Sequence, residues 1–115
     1  MDNTVATPSD DNHVFLRGRL AAPAVVRQLP GGDEICSFRL TIPRPAGSRA
    51  KVDSIACCTT KLRVRKSVER GTPGDQFEVT GSLHRRFWRS PTGPASRFEV
   101  EVSSARISAR RQSDA

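Results

Sequence analysis

The chain has 115 residues, a formal net charge of +7 and 36% hydrophobic residues. This length provides one small domain with a core of its own and excludes a multidomain enzyme. No apolar run approaches the ~20 residues of a membrane helix, and the first residues lack the basic and apolar regions of a signal peptide, so we expect a soluble, cytoplasmic protein.

The first half of the chain is predicted to form three strands. Residues 1–11 are polar and are expected to be a disordered arm. From residue 12 apolar and polar residues alternate along a first strand, which Pro23 bends before a second extended piece at 25–29. The turn sequence Pro-Gly-Gly-Asp at 30–33 makes a hairpin with a second strand at 36–42, and a short third strand begins at Val52.

One helix separates these strands from the last two. It is predicted over 61–70 and is closed by Gly71. A fourth strand at 77–88, a turn at 91–94 and a fifth strand around Val100 follow, and residues 108–115 are expected to form a polar tail. Five strands with a helix between the third and fourth indicate an all-β OB-fold, a partly open Greek-key barrel, over residues 12–107. Small SH3-like barrels and split sandwiches share this strand count.

The sequence offers no recognisable catalytic or metal-binding pattern. Cys36, Cys57 and Cys58 cannot all pair within the chain, and the adjacent two lack C-x2-C spacing. We interpret the three as reduced thiols in or near the core, with one of the adjacent pair semi-exposed because neighbouring strand residues face opposite sides. No nucleophile with its base, paired carboxylates or phosphate-binding loop is evident, so we expect no catalytic residues, no metal and no cofactor.

Two segments of the chain are basic, and the remainder is mixed in charge. Of the 19 basic residues 16 are arginine, which pairs with phosphate and stacks on bases better than lysine does. Residues 43–51 and 84–97 are basic and contain no acid, and the second segment holds the only tryptophan, Trp88. This distribution favours a nucleic-acid ligand.

Trp88 is predicted to lie on the outward side of the fourth strand. The inward side begins with Phe77 and reaches Phe87, which places Arg86 and Trp88 on the other side. An exposed indole beside guanidinium groups suits the unpaired bases and phosphates of single-stranded nucleic acid. The alternative is a β-bulge that shifts the register and buries Trp88 in the core.

Several segments resemble bacterial single-stranded DNA-binding proteins of the OB-fold type. They are Asn-His-Val-Phe-Leu-Arg-Gly-Arg-Leu at 12–20, Gly32 before Cys-Ser-Phe-Arg-Leu at 36–40, Lys-Leu at 61–62, and Val-Thr-Gly-Ser-Leu-His-Arg-Arg-Phe-Trp at 79–88. The resemblance covers residues 12–107. It implies sequence-tolerant binding of single-stranded DNA in replication, recombination or repair, by a homo-oligomer that is usually a tetramer, in the cytoplasm with the nucleoid.

The chain departs from this family at its aromatic positions. Of four places that stack bases in the family, only Trp88 is clearly filled, since Ser54, residues 59–60 and the loop 43–51 provide no aromatic ring. Arginine is expected to compensate, through phosphate pairing and stacking on bases. The candidate DNA-binding residues are Trp88, Arg86, Arg89, Arg97, Arg39, Arg44, Arg49, Lys51 and His84. Each charged one has the simpler interpretation of a solvated surface residue.

The C-terminus is the second departure. The family's long tail with an acidic, phenylalanine-tipped end is replaced by Arg-Arg-Gln-Ser-Asp-Ala at 110–115. We therefore expect a short, divergent member, and assembly with a tailed paralogue stays open. An OB-fold protein-interaction module and a dimeric accessory subunit resembling primosomal protein N are the alternatives. A binder of RNA or duplex is ranked last, because strand-face aromatics favour unpaired bases.

Overall fold

The computed structural model describes residues 9–112. Residues 1–8 and 113–115 lie outside the described residues, and with them most of the predicted N-terminal arm and the end of the predicted tail. Residues 9–11 have no regular secondary structure.

The described chain folds into strands and one helix in an order that follows the sequence prediction. The elements are β1 (Val14–Leu20), β2 (Val25–Gln28), β3 (Glu34–Pro43), β4 (Val52–Thr59), α1 (Leu62–Glu69), β5 (Gln76–Ser90) and β6 (Gly93–Ala109). The predicted bent first strand consists of β1 and β2, which pair with successive parts of β3: Leu20 lies opposite Leu40, and Val25 opposite Ser37. The predicted helix between the third and fourth strands is confirmed.

The sheet curls into an uneven barrel. Its strand order is β1-β5-β6-β4-β3-β2, and an additional pairing of β1 with β3 closes it. All pairings are antiparallel except β4 with β6, where Cys57 lies opposite Val100. β1 pairs with β5 at six residues but with β3 only at Arg19 and Leu20, which makes the closure uneven. This is the predicted OB-fold.

The core lies inside the barrel and beneath α1. Leu40, Phe77 and Val79 are fully buried there. Because Val64 and Val68 are four residues apart on one face of α1, both point into the core, where they are 3% and 1% exposed. No helix within residues 9–112 is long and apolar enough to cross a membrane.

The last two strands are longer than their neighbours. β1 pairs with β5 only as far as Gly81, and β4 pairs with β6 only at Val100 and Glu101. Residues 82–99 therefore form a two-stranded segment whose strands pair only with each other, which we name the ribbon. The predicted fifth strand is too short: β6 continues to Ala109, where Ser108 Oγ donates to Gln76 Oε1 at 2.9 Å, so the polar tail begins two residues later.

A β-bulge lies at the root of the ribbon. Thr80 is opposite Ser104 whereas Gly81 is opposite Val102, so β6 carries one extra residue there. Gly81 has no room for a side chain, because a Cβ atom would lie 2.0 Å from the carbonyl oxygen of Glu101. Phe87 was predicted to continue the inward side of β5 into a buried position. That prediction is wrong: Phe87 is 72% exposed, because no third strand or helix among residues 9–112 covers the ribbon.

Candidate functional site

Trp88 lies on the outward side of the ribbon, as predicted. Its side chain is 46% exposed and lies across from Ala95 of β6. The guanidinium carbon of Arg97 is 5.9 Å from the centroid of the indole ring, within the range of a cation-π contact. The alternative of a buried Trp88 is wrong, because its side chain is 46% exposed. The extra residue of the bulge is on β6 and leaves the alternation of β5 unchanged.

Glu99 holds the two arginines beside Trp88. This carboxylate is 3% exposed, and it accepts a hydrogen bond from Arg86 Nε. Arg97 Nη2 lies 3.5 Å from its other oxygen, and Cys58 Sγ lies 3.3 Å from Oε1. Both guanidinium groups stay about half exposed. Glu99 therefore fixes two cations at the surface and balances part of their charge.

A groove continues this surface across β4, β3 and β2. It has a volume of about 450 Å³, and its charged groups are those of Arg27, Arg39, Arg97 and Glu99. Small apolar residues form most of its remaining wall, namely Ala21, Ala22, Pro23, Val25 and Ala56. Arg39 is anchored by Ser54, since its Nε donates to Ser54 Oγ at 2.9 Å and its Nη2 to the Ser54 carbonyl at 3.1 Å. Ser54, one of the positions that lack the expected aromatic ring, therefore binds the guanidinium group of Arg39.

His84 is on the same side of the ribbon as Trp88. Its Nε2 lies 2.8 Å from Ser82 Oγ and 3.5 Å from a carboxylate oxygen of Glu101. Like the two arginines, His84 therefore has an acidic neighbour that lies just outside the acid-free segment recognised in the sequence.

The other residues predicted to bind DNA do not lie on the Trp88 side of the ribbon. Arg44, Arg49 and Lys51 belong to the loop between β3 and β4, where Arg44 Nε pairs with Asp53 Oδ1 at 2.8 Å. Arg49 and Lys51 are exposed and form no ion pair within the described part of the chain. Arg89 follows Trp88 and therefore points to the opposite side of the ribbon.

All three cysteines are free and buried. The prediction that one of Cys57 and Cys58 is semi-exposed is wrong: each is 1% exposed. Cys58 does face away from the core, but Glu99 and Arg86 cover it, the latter with Nη2 at 3.6 Å from the sulfur. Burial raises the pKa of Cys57 to about 12, with a further contribution from Cys58, and burial also raises the pKa of Cys36. Among residues 9–112 no cluster of histidine, cysteine, aspartate or glutamate could hold a metal ion.

Glu99 and Phe98 belong to this region, although they were not among the residues predicted from the sequence. Glu99 alternates with the apolar residues Phe98, Val100 and Val102 of the predicted fifth strand, a pattern that is typical of an ordinary solvent-facing acid. One signal in the sequence could have identified Glu99. It lies two residues after the basic segment 84–97, and the turn at 91–94 brings its strand back beside Arg86.

The fold and this surface define an OB-fold protein with an arginine-rich β-ribbon. The sequence matches the model of the single-strand binding protein family over residues 11–110, and the chain belongs to this family. The resemblance recognised in its segments is thereby confirmed.

Solved structures agree with the fold. The chain is similar to the SSB protein of Plasmodium falciparum in complex with ssDNA, with a TM-score of 0.70 and 21% sequence identity. The similarity covers 89% of this chain and 98% of the other. No curated protein sequence matches the chain significantly.

Proposed function

We propose that this protein binds single-stranded DNA with little regard to sequence and without catalysing a reaction. The observation that carries the proposal is the half-exposed ring of Trp88 beside the guanidinium group of Arg97. An aromatic ring and fixed cations on one open strand surface suit unpaired bases and a phosphate backbone. Membership of the single-strand binding protein family supports it, as does the ssDNA bound to the similar protein from P. falciparum.

In this proposal the outward side of the ribbon binds the strand first. A base stacks on Trp88, which contributes ~1–3 kcal/mol for one base. Arg86 and Arg97 then exchange part of their pairing with Glu99 for a phosphate oxygen. Because Glu99 already orients both groups, little side-chain entropy is lost when the phosphate binds.

The groove along β4 and β3 gives the strand a continuous path. Arg39 and Arg97 both line this groove, and a hydrogen bond to Ser54 fixes the orientation of the Arg39 side chain. A planar guanidinium can stack on a base where an aromatic ring is missing. Arg39 is therefore our choice for the residue that compensates for the missing aromatic at Ser54.

The other predicted residues are proposed to contribute less. Arg49 and Lys51 are exposed in the β3–β4 loop and are available to phosphates, whereas Arg44 is engaged by Asp53. His84 shares its side of the ribbon with Trp88, but its acidic neighbour Glu101 offsets its attraction for phosphate.

We propose further that the protein acts as a homo-oligomer in replication, recombination or repair. The first half of β1 pairs with β5 but, among the described residues, not with β3, so one edge of its backbone is open. Such an edge can pair with the same edge of a second copy. Sedimentation equilibrium would distinguish a tetramer from a dimer, and mixing with a tailed paralogue would reveal hetero-assembly.

The test is a titration followed by the fluorescence of Trp88, the only tryptophan. A thymidine oligonucleotide of roughly 15 nucleotides, close to the upper site size of one OB-fold, is compared with a duplex of the same length at two salt concentrations. We expect quenching by the single strand, with affinity that falls as salt rises by a slope of about −0.7 for each phosphate contact.

A labelled oligonucleotide tests the role of Trp88 itself. Fluorescence anisotropy should show at least roughly fivefold weaker binding for Trp88→Ala, from the value of one stacked base. Leu62→Ala, which removes an exposed side chain from α1, is the control and should bind like the wild type. A folded protein that responds to neither nucleic acid would overturn the proposed function and favour the protein-interaction alternative.

A further inference from the structure

The ribbon has a second side, which the proposed function does not use. Its side chains alternate with those around Trp88, and we name them the Phe face. They are Leu83, Arg85, Phe87 and Arg89 of β5 and Pro94, Ser96 and Phe98 of β6. Phe87 is 72% exposed, Phe98 60% and Leu83 43%. The two phenylalanine rings are more exposed than Trp88 itself.

An arginine lies between the two phenylalanine rings. The guanidinium carbon of Arg85 is 5.0 Å from the ring centroid of Phe87 and 5.5 Å from that of Phe98. Ser96 Oγ fixes the guanidinium group by accepting hydrogen bonds from Nη2 at 3.0 Å and from Nε at 3.2 Å. The three side chains therefore form an ordered patch of two rings and one cation that is open to solvent.

The charges of the two sides of the ribbon differ. On the Trp88 side Arg86 and Arg97 face Glu99, and His84 faces Glu101. Glu99 is the one acid in residues 82–99, and it points to the Trp88 side. The Phe face thus carries the charges of Arg85 and Arg89 with no acid on the same side of the ribbon.

This combination favours a polyanion over a protein partner. Arginine and aromatic residues are common in protein interfaces as well, so the deciding observation is charge: Arg85 and Arg89 have no acid beside them on the Phe face, which attracts an anionic ligand. Nucleic-acid bases stack on exposed rings, and arginines beside the rings attract the phosphates that accompany those bases. The Phe face meets both requirements with side chains on two paired strands.

We propose that the Phe face is a second platform for single-stranded nucleic acid, on which bases stack on Phe87 and Phe98 while Arg85 and Arg89 contact phosphates. This inference rests on the proposed function and extends it. A bound strand then contacts both sides of the ribbon instead of the Trp88 side alone, and the missing aromatic positions of the barrel are compensated partly by phenylalanines on the ribbon.

Matched phenylalanine substitutions test this inference. Phe15 on β1 is the control, because it is 52% exposed and has the Arg17 guanidinium 5.7 Å from its ring, yet lies outside the ribbon. Since β1 also provides the proposed contact between copies, Phe15→Ala is compared at a concentration at which sedimentation equilibrium gives it the same mass as the wild type. With a labelled thymidine oligonucleotide long enough to reach both sides, Phe87→Ala and Phe98→Ala should each weaken binding about tenfold, as expected for one stacked base. Phe15→Ala should stay within about twofold, and in all three variants the oligonucleotide should still quench Trp88.

Photo-crosslinking locates the contact directly. An oligonucleotide containing 5-iodouracil is bound to the wild-type protein, irradiated and mapped by peptide mass spectrometry. Adducts on Phe87 or Phe98, together with adducts on Trp88, would support the inference. Adducts on Trp88 alone, with wild-type affinity in Phe87→Ala, would overturn this inference and leave the proposed function intact.

Two further outcomes are decisive. If the wild-type protein neither binds the oligonucleotide nor shows quenching of Trp88, the proposed function and this inference both fail. The same variants are also analysed by sedimentation equilibrium. If Phe87→Ala weakens binding only because the assembly dissociates, the Phe face is a contact with a second copy of the chain, and the inference is overturned.

Discussion

Phe77 and Phe87 lie on the same strand and the same side of that strand, yet one is fully buried and the other is 72% exposed. Phe77 lies opposite Ile107, and the barrel closes over it. Phe87 lies opposite Ser96 in the ribbon, where no other strand of the described chain pairs with β5 or β6. Alternation thus determines the side on which a residue lies, and the presence of a covering layer determines whether it is buried.

The largest expected effect is on stability and separates these two residues. Phe77→Ala should lower the free energy of unfolding by about 3–5 kcal/mol, because it removes a fully buried ring from a closed core. Phe87→Ala should change it by no more than about 0.5 kcal/mol. Urea denaturation followed by circular dichroism measures both. Equal losses would contradict the difference between barrel and ribbon and would show that the Phe face is covered in the native assembly.

Glu99 distinguishes the two sides of the ribbon. Glu99→Gln removes the carboxylate that orients Arg86 and Arg97, and we expect the free energy of unfolding to fall by about 1–3 kcal/mol. The same change leaves the two arginines without a competing anion. Single-stranded DNA should therefore bind more tightly, with a salt slope steeper by about 0.7 for each additional phosphate that these arginines neutralise.

Glu101→Gln is the control for this prediction, because Glu101 is half exposed and faces His84 instead of the arginines. It should leave stability nearly unchanged. Weaker binding by Glu99→Gln would contradict the prediction and show that orienting the arginines matters more than freeing them.

Asp75 lies at the opposite end of β5, and its carboxylate should make the stability of the barrel depend on pH. Backbone N–H groups of Thr72 and Arg111 and the Arg110 side chain donate to this carboxylate, and these contacts hold its pKa below the ordinary value of 3.8. A lowered pKa in the folded state adds stability above 3.8, which is lost as pH falls through and below that value.

Thermal unfolding between about pH 2 and 6 should show this loss. The melting temperature of the wild type should drop on acidification, and Asp75→Asn should drop less, because it lacks the titrating group. Asp33→Asn in the β2–β3 turn is the control and should follow the wild type. Parallel curves for all three proteins would exclude Asp75 as a source of the acid sensitivity.

The smallest expected effect concerns the adjacent cysteines. The pKa of Cys57 is raised to about 12 by burial in the barrel, so iodoacetamide near pH 8 should not modify it in the native state. Cys58 is covered by two side chains of the ribbon and should react first when the root of the ribbon opens locally. Peptide fragmentation in a mass spectrometer resolves the two. Modification of Cys57 before Cys58 would contradict the prediction that the ribbon opens more readily than the barrel.

Much of the fold could be predicted from local patterns. The alternation from Val14 to Leu20, the Pro-Gly-Gly-Asp turn and the helix before Gly71 each depend on a few consecutive residues, and the structure confirms them. The length of β6 could not be predicted in this way, because its last residues are held by pairing with Gln76, more than thirty residues earlier in the chain.

The candidate site was predictable only in part. The exposure of Trp88 followed from alternation along one strand. The burial of Glu99 and Cys58 did not, because it depends on Arg86 and on strands that meet only after the barrel closes. The exposure of Phe87 was missed for the complementary reason, since no local pattern reveals that a covering layer is absent.

The position of the single tryptophan has a consequence for spectroscopy. The chain contains no tyrosine, so its near-ultraviolet absorption and emission come mainly from an indole that lies outside the barrel. Intrinsic emission will therefore record local fraying of the hairpin and report poorly on melting of the hydrophobic interior. Thermal denaturation curves for this protein should accordingly be taken from backbone ellipticity or from heat capacity.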